Sequence, residues 1–428
     1  MLIGLQIYYL SVVGALFLYA VWTPRNALRA FPIGMALNVF PLALLPYFSM
    51  DTARLGGLPL VYLPITAVGL ALIAQNGTRV PRRHAVMYVL AYIYLIYTFC
   101  NTVLAHGASS SNLIYWLAWP LNLAMFIATA SLVGRMEPEF LDRVLNRCVM
   151  LMVAAALVGL ARFAFGISTD ANFMPVMNRN GTVVLITLLF PLVFHVHHVQ
   201  RKSTAWLLFC AGTIALCVTL TYSRSGLIGL AAGALLYYGR LSLMGLLKTG
   251  ACVLVLALFL SSGVAERTTE RLATTDTVVS ALIEGRELDP SMSDRNRLHL
   301  VNAALATADE HFWFGTGLGM ENYREGLREV GHGQLRSKAH NFYISYFAEL
   351  GLVGFVLLLA TLQRIYAGLP PLNSPYRAFR VSFLVMALMM TMNEYILLPE
   401  LWLLFGMLAG MSHSVQSLRH GILRSSHD

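Results

Sequence analysis

Apolar runs of helical length follow one another along almost the whole of this 428-residue chain, and that succession leaves it few folds. They fall at about 2–22, 31–49, 58–75, 85–105, 113–133, 148–166, 182–199, 205–221, 226–245, 247–264, 341–364, 379–397 and 400–416. A membrane span needs ~20 apolar residues, so several are short but adequate. In lipid every backbone amide needs an internal partner. Runs of this length without strict alternation satisfy that need as helices, not as a barrel. Composition agrees: 57% of residues are hydrophobic and 12% charged, about half the charge an ordinary soluble domain carries. The expected fold is an all-α polytopic membrane protein with about 12 transmembrane helices. The second run contains Pro32, Pro41 and Pro46, which marks it as a re-entrant or broken segment and makes the count twelve or thirteen.

Arginine placement sets the orientation. The connections at 79–83, 134–147, 200–202, 240–248 and 364–380 and the Arg419/Arg424 tail are basic, and the positive-inside rule puts them together in the cytoplasm. The connections around 106–112, 167–181, 222–226, 265–340 and 394–400 then face the opposite compartment. The first run lacks a polybasic start and a small-residue cleavage site, so it reads as a retained helix rather than a removable signal. The +9 net charge is accounted for by cytoplasmic arginines, which also favour anionic membrane lipids. Basic residues are spread over separate short loops with no aromatic platform, which argues against nucleic acid. Cys100, Cys148, Cys210, Cys217 and Cys252 all lie in or beside apolar runs. They read as small core residues, and the exported loop needs no disulfide.

Three regions follow: a helix bundle over 1–264, a loop subdomain over 265–340, and C-terminal helices with a tail over 341–428. Within the loop, Leu298, Val301, Leu305 and Ala308 recur at helical spacing behind Ser293 or Asp294 as N-cap. This predicts an amphipathic helix from about 294 to 310. It ends before Phe314-Gly315-Thr316-Gly317-Leu318-Gly319, a glycine-rich turn that no strand precedes and which is therefore not a nucleotide fingerprint.

Four features resist a purely structural explanation. Arg179, in Asn178-Arg179-Asn180-Gly181, and Arg224, in Thr221-Tyr222-Ser223-Arg224-Ser225-Gly226, stand on the arginine-poor side at the ends of spans. An ionisable group there is costly unless it works or snorkels. Arg295 and Arg297 occupy the first turn of the loop helix, where the macrodipole disfavours cations; a helix start carrying arginines suits an anion. His340 opens the span leaving the loop, where the positive dipole end helps keep imidazole neutral and able to accept a proton. The acids of these loops show no metal-ligand spacing. His195, His197 and His198 read as an interfacial cluster. Gly229 and Gly233 form a G-x-x-x-G for close helix packing. Glu349 and Glu394 lie in apolar surroundings, as proton-relay carboxylates of a secondary transporter would, although no inverted repeat accompanies them.

Taken in order, Ser223-Arg224-Ser225-Gly226, Arg297 with its helix, Phe314-Gly315-Thr316-Gly317, and His340-Asn341-Phe342-Tyr343 running into Ala348-Glu349-Leu350-Gly351-Leu352-Val353-Gly354 resemble the signature of the O-antigen ligase and polymerase superfamily. The resemblance covers roughly residues 170–360. It implies a glycosyltransferase of the bacterial inner membrane whose active site faces the periplasm, with a glycan on undecaprenyl pyrophosphate as donor. A ligase passes that glycan to the lipid A core, completing lipopolysaccharide; a polymerase passes it to another carrier-linked repeat. It also implies that Arg224, Arg297 and His340 are functional, with Arg179 on a looser match.

The chemistry of the residues points the same way. Breaking a sugar–pyrophosphate bond requires charge stabilisation on the leaving group, by metal or by fixed cations. Arg179, Arg224, Arg295, Arg297 and Asn341 are the expected pyrophosphate-binding residues, with no metal or other cofactor. His340 is the expected base in a single inverting displacement. The topology is open to test: with single cysteines in a cysteine-free background, an impermeant thiol reagent on intact cells labels Ser291→Cys and spares Ser374→Cys. The opposite pattern inverts the orientation.

Overall fold

The computed structural model describes residues 2–44, 54–55, 58–59, 63–76, 85–105, 109–168, 171, 179–221, 223–238, 293–335 and 337–425. The expected span at 247–264, Cys252, Pro46 and the whole of the loop over 265–292 lie outside them. Among the described residues the chain is helical apart from a two-residue antiparallel pair, Arg54–Leu55 with Leu58–Pro59. The helices are α1 (Leu2–Trp22), α2 (Pro24–Leu44), α3 (Leu63–Asn76), α4 (Ala85–Phe99), α5 (Ser110–Val133), α6 (Pro138–Ala164), α7 (Arg179–Val199), α8 (Thr204–Leu220), α9 (Arg224–Tyr238), α10 (Ser293–Glu310), α11 (Met320–Glu329), α12 (Phe342–Ala367), α13 (Arg377–Met389) and α14 (Pro399–Ser425). A π-helical turn, Cys100–Ala105, extends α4. Five described segments, Ala85–Val103, Ser110–Val133, Pro138–Ala164, Gly181–Val199 and Phe342–Ala367, are long and apolar enough to cross a membrane.

Lipid as solvent explains the outer surface. Leu208 on α8 is 62% exposed and Tyr92 on α4 is 67% exposed, positions that water would disfavour and acyl chains do not. Inside, packing is close. Trp119 is fully buried, with Tyr94, Tyr346 and Trp402 edge-on at 5.2, 5.8 and 5.8 Å. Helices approach where glycine removes the side chain. Gly229 meets Thr187 of α7 and Met389 of α13, as expected of its G-x-x-x-G, and Gly233 faces Pro191 and Val385. A second such pair seats α14 on α5: a Cβ at Gly406 or Gly410 would come within 2.7 Å of the Phe126 carbonyl or 2.6 Å of the Ala130 carbonyl. Such small-residue seams substitute for the hydrophobic drive that lipid does not supply between helices.

Local starts follow ordinary capping. Ser109 and Ser203 accept from Asn112 N (3.1 Å) and Trp206 N (3.2 Å) to open α5 and α8. Thr23 opens α2, whose Asn26 amide reaches its hydroxyl at 3.1 Å. The second apolar run, expected to be broken, lies largely in α2, which continues through Pro32 and Pro41 to Leu44. A proline removes one ladder bond, a loss that neighbouring helices can absorb; here α2 packs on α1, α3 and α6.

The break lies elsewhere. Helix α12 is interrupted at Gly351 (φ 60°, ψ −175°), and the glycine-rich turn docks into the gap. Thr316 N donates to Ala348 O (3.0 Å), Gly317 N to Glu349 O (2.9 Å), Leu352 N to Phe312 O (2.7 Å) and Val353 N to Trp313 O (3.2 Å). The π-helical end of α4 completes the junction. Tyr97 Oη donates to Leu350 O (2.6 Å) and Phe314 O (3.0 Å), and Asn101 Nδ2 to Phe314 O (2.5 Å), while Leu318 N donates to Thr102 Oγ1 (2.9 Å). The groups freed by the break are thus satisfied internally. A side chain at Gly351 or Gly315 would overlap the backbone of the opposite segment, and both have left-handed φ. Gly351→Val therefore costs more than about 2 kcal/mol from φ strain and overlap, read as a lowered thermal midpoint of the purified protein in detergent. An unchanged midpoint would show that the junction carries no stability.

Candidate functional site

Four helices begin with the residues singled out above. Arg179 is the first residue of α7 and Arg224 the first of α9; Arg295 and Arg297 lie in the first turns of α10, and His340 stands two residues before α12. Packing brings these starts together. Gly226, in the first turn of α9, lies against Val183 of α7. Tyr395, in the 3₁₀ turn Tyr395–Leu397, hydrogen-bonds the backbone of Gly181 and lies within electrostatic reach of Arg297, which in turn acts on His340. For Arg179 and Arg295 the backbone placement alone is described. Each helix start carries a positive dipole end, and arginines add full charge. The ensemble suits an anion with several oxygens.

His340 is exposed, with φ 54°, one of two non-glycine residues with positive φ among those described. The protein packed around it, first, and the Arg297 guanidinium, second, push its imidazole below the ordinary value. Both effects favour the neutral ring, the direction expected at a helix start, although desolvation and arginine are the causes. Asn341 is the N-cap of α12: its side-chain oxygen accepts from Ile344 N (3.2 Å), so that oxygen is already engaged by the helix it starts.

Beneath His340 lies a charged group the sequence reading passed over. Lys338 is 5% exposed and Glu349 fully buried, and Lys338 Nζ donates to Glu349 Oε1 at 2.6 Å. Lys338 also donates to Tyr115 Oη (3.0 Å) and lies 4.5, 5.4 and 5.9 Å from the ring centres of Tyr115, Tyr346 and Tyr323. Burial alone would lower the ammonium pKa, but Glu349, Tyr346 and Glu394 outweigh it and raise the value, so the lysine stays charged. Glu349 Oε1 also accepts from Gly319 N at 3.0 Å. One carboxylate thereby ties the glycine turn, the His340 segment and α12. Glu394 is likewise engaged, accepting from Ser345 Oγ, with the backbone of His340 and Asn341 close enough to favour its charged form. Both carboxylates the transporter reading invoked hold structure together here. Lys338 could have been suspected as a cation two residues before His340 in a run entering an apolar helix; Tyr395 carried no sequence signal.

His195 is buried, its ring 5.0 Å from both Tyr376 and Phe379 and its Nε2 3.5 Å from Asp142. Among the described residues no group of three or more His, Cys, Asp or Glu is placed to hold a metal ion. Cys148, Cys210 and Cys217 are buried and Cys100 is exposed, all as free thiols.

A polytopic helical bundle with arginine-bearing helix starts near a histidine defines a class: a helical membrane protein with a cationic polar cluster at its helix starts. Residues 206–359 match the family model described as O-antigen ligase, so over that stretch the chain is O-antigen ligase-like. The matched segment contains Arg224, Arg297, His340 and the Gly351 junction and excludes Arg179 and Glu394. No curated protein matches the chain.

The buried pair yields a stability prediction. Lys338→Met strands the Glu349 charge and should cost about 3–5 kcal/mol, whereas Lys338→Met with Glu349→Gln should recover most of it. Thermal unfolding in detergent measures both, and a single variant as stable as the parent would contradict the pairing.

Proposed function

We propose that this protein is an O-antigen ligase. It transfers a glycan from undecaprenyl pyrophosphate to the lipid A core on the periplasmic face of the inner membrane, with inversion and without a divalent metal. Residues 265–340 form the periplasmic subdomain, between membrane regions at 1–264 and 341–428. The observation that carries this reading is the meeting of arginine-bearing helix starts beside His340, within and next to the segment that matches the O-antigen ligase family.

In this reading Arg179, Arg224, Arg295 and Arg297 receive the pyrophosphate. Guanidinium pairs with phosphate oxygens through two parallel hydrogen bonds, and arginine holds its charge at any working pH. The acceptor hydroxyl attacks the anomeric carbon as the bond to the pyrophosphate oxygen breaks. Negative charge then accumulates where the cations already stand, without reorganisation. His340 takes the hydroxyl proton, which a neutral ring can do and an imidazolium cannot. The lowered pKa is therefore functional in sign. Bound pyrophosphate opposes Arg297 and raises proton affinity at the moment the proton moves.

Reconstituted transfer with purified carrier-linked glycan and lipid A core, chelator present, tests the whole reading. Product on the lipid A core is expected; product on a second carrier-linked repeat makes the protein a polymerase, and solute movement without a covalent product makes it a transporter. Restoration by magnesium or manganese would reveal a metal site. In the same assay Arg224→Ala and Arg297→Ala should each lose at least about a hundredfold, equivalent to about 3 kcal/mol, with poor rescue by lysine. His340→Ala should lose about 10²–10⁴-fold. Near-normal transfer by both arginine variants would dismiss the pyrophosphate clamp.

The pH profile carries the sign. His340 must be unprotonated, so the rate should fall as pH drops through its lowered pKa, and this acid limb should be absent from the residual activity of His340→Ala. A limb that persists in the variant belongs to another group.

A further inference from the structure

His340 occupies a backbone conformation that a non-glycine residue seldom adopts, φ 54°, and such a conformation persists where the surroundings over-determine it. The surroundings come from the connection between α13 and α14, about fifty residues further along the chain. Phe342 N donates to Met390 O (2.9 Å) and Asn393 O (3.2 Å), laying that connection alongside the start of α12. Asn393 Nδ2 returns to Met389 O at 3.0 Å, which closes the end of α13 over the same point. The next residue is Glu394. Its half-buried carboxyl accepts from the hydroxyl of Ser345, and although burial raises its pKa, the nearby backbone of His340 and Asn341 favours its charged form. Ser345 Oγ in turn accepts from Ala339 N at 3.2 Å. Residues 339, 340, 341 and 345 thus gather, directly or through one hydroxyl, around a single carboxyl group. Tyr395 then reaches Gly181 and the surroundings of Arg297.

We propose that Glu394 is the positioning residue for His340, locking the left-handed turn that aims the imidazole at the site formed by the starts of α7, α9 and α10. The proposal rests on the reading of His340 as the base. Glu394 does not touch the reacting atoms; it acts through the backbone of His340 and Asn341. The side-chain type follows from these neighbours. The Ser345 hydroxyl donates to it and the backbone of His340 and Asn341 lies close enough to favour its charged form, so an acceptor-only side chain suits the position. A carboxylate is one, whereas a glutamine amide would turn an N–H₂ toward at least one of these groups. Charge-assisted bonds to a carboxylate are also shorter and stronger than neutral ones. Lys338, which acts on both Glu349 and Glu394, supplies the compensating positive charge behind the turn.

Two measurements on the full-length protein in lipid nanodiscs test this. The first is hydrogen–deuterium exchange over the peptide containing residues 339–345. Glu394→Ala, and Glu394→Gln as the isosteric variant should alanine not accumulate, are expected to speed exchange at this turn at least tenfold, with the peptide over 352–360 unchanged. Equal protection in parent and variant overturns the proposal whatever the activity. The second is a double-mutant comparison of transfer from carrier-linked glycan to lipid A core. Glu394→Gln should lower kcat ten- to a hundredfold with KM for the donor within threefold, and should cost less than threefold when added to His340→Ala. Equal losses in both backgrounds would mean that Glu394 acts independently of His340 and would reject the proposal. Full activity of His340→Ala would instead refute His340 as base, and exchange at the turn would still decide what Glu394 holds.

Discussion

The rest of the structure depends on a backbone junction: the segment Phe312–Gly317 laid into the break of α12 at Gly351. Four main-chain hydrogen bonds cross it, and Tyr97 and Asn101 take the carbonyls that the interrupted helix and the turn leave over. In a lipid-facing protein an irregular backbone survives only where every donor and acceptor is answered, so this junction must be complete to exist. It fixes α10 and α11 to α12 and α4, and hence fixes where Arg297 stands relative to His340. The glycines of the sequence motif are the means of this docking.

Electrostatics at the site runs against ordinary stability. Cations at helix starts and a left-handed histidine both cost free energy in the empty protein. Such costs persist when the surroundings enforce them, and two carboxylates do so. Glu349 binds Lys338 and the Gly319 amide, and Glu394 binds the His340 turn. The two carboxylates are engaged by partners of their own, and under the proposed reading the arginines are left to receive the anion.

Much was legible along the chain. Spans read from hydropathy reappear at Ser110–Val133, Pro138–Ala164 and Gly181–Val199, and the helix expected at about 294–310 appears as Ser293–Glu310. These are local properties, set by apolar length and 3.6-residue periodicity, and neighbours need not be known to read them. The seam between Gly229 and its partners was legible for the same reason. The α5–α14 seam at Gly406 and Gly410 has the same spacing. Prolines are a visible local signal, yet α2 runs through Pro32 and Pro41, while Pro46 lies outside the described residues; the break at Gly351 is filled by the distant turn at 313–317, which no local pattern announces.

The sequence by itself determined the solvent of this protein, its helical class and the residue types, arginine and histidine, that can handle an anion and a proton. Those are consequences of side-chain chemistry and of lipid offering no hydrogen bonds. Only the tertiary structure decided that Lys338 and Glu349 are one buried pair, and that Glu394, more than fifty residues beyond His340, holds that residue's turn. It also decided that Tyr395 joins the start of α7 to the surroundings of Arg297. Such pairings depend on which segments lie side by side across the bundle, and helices of similar apolar length carry no local mark of their neighbours.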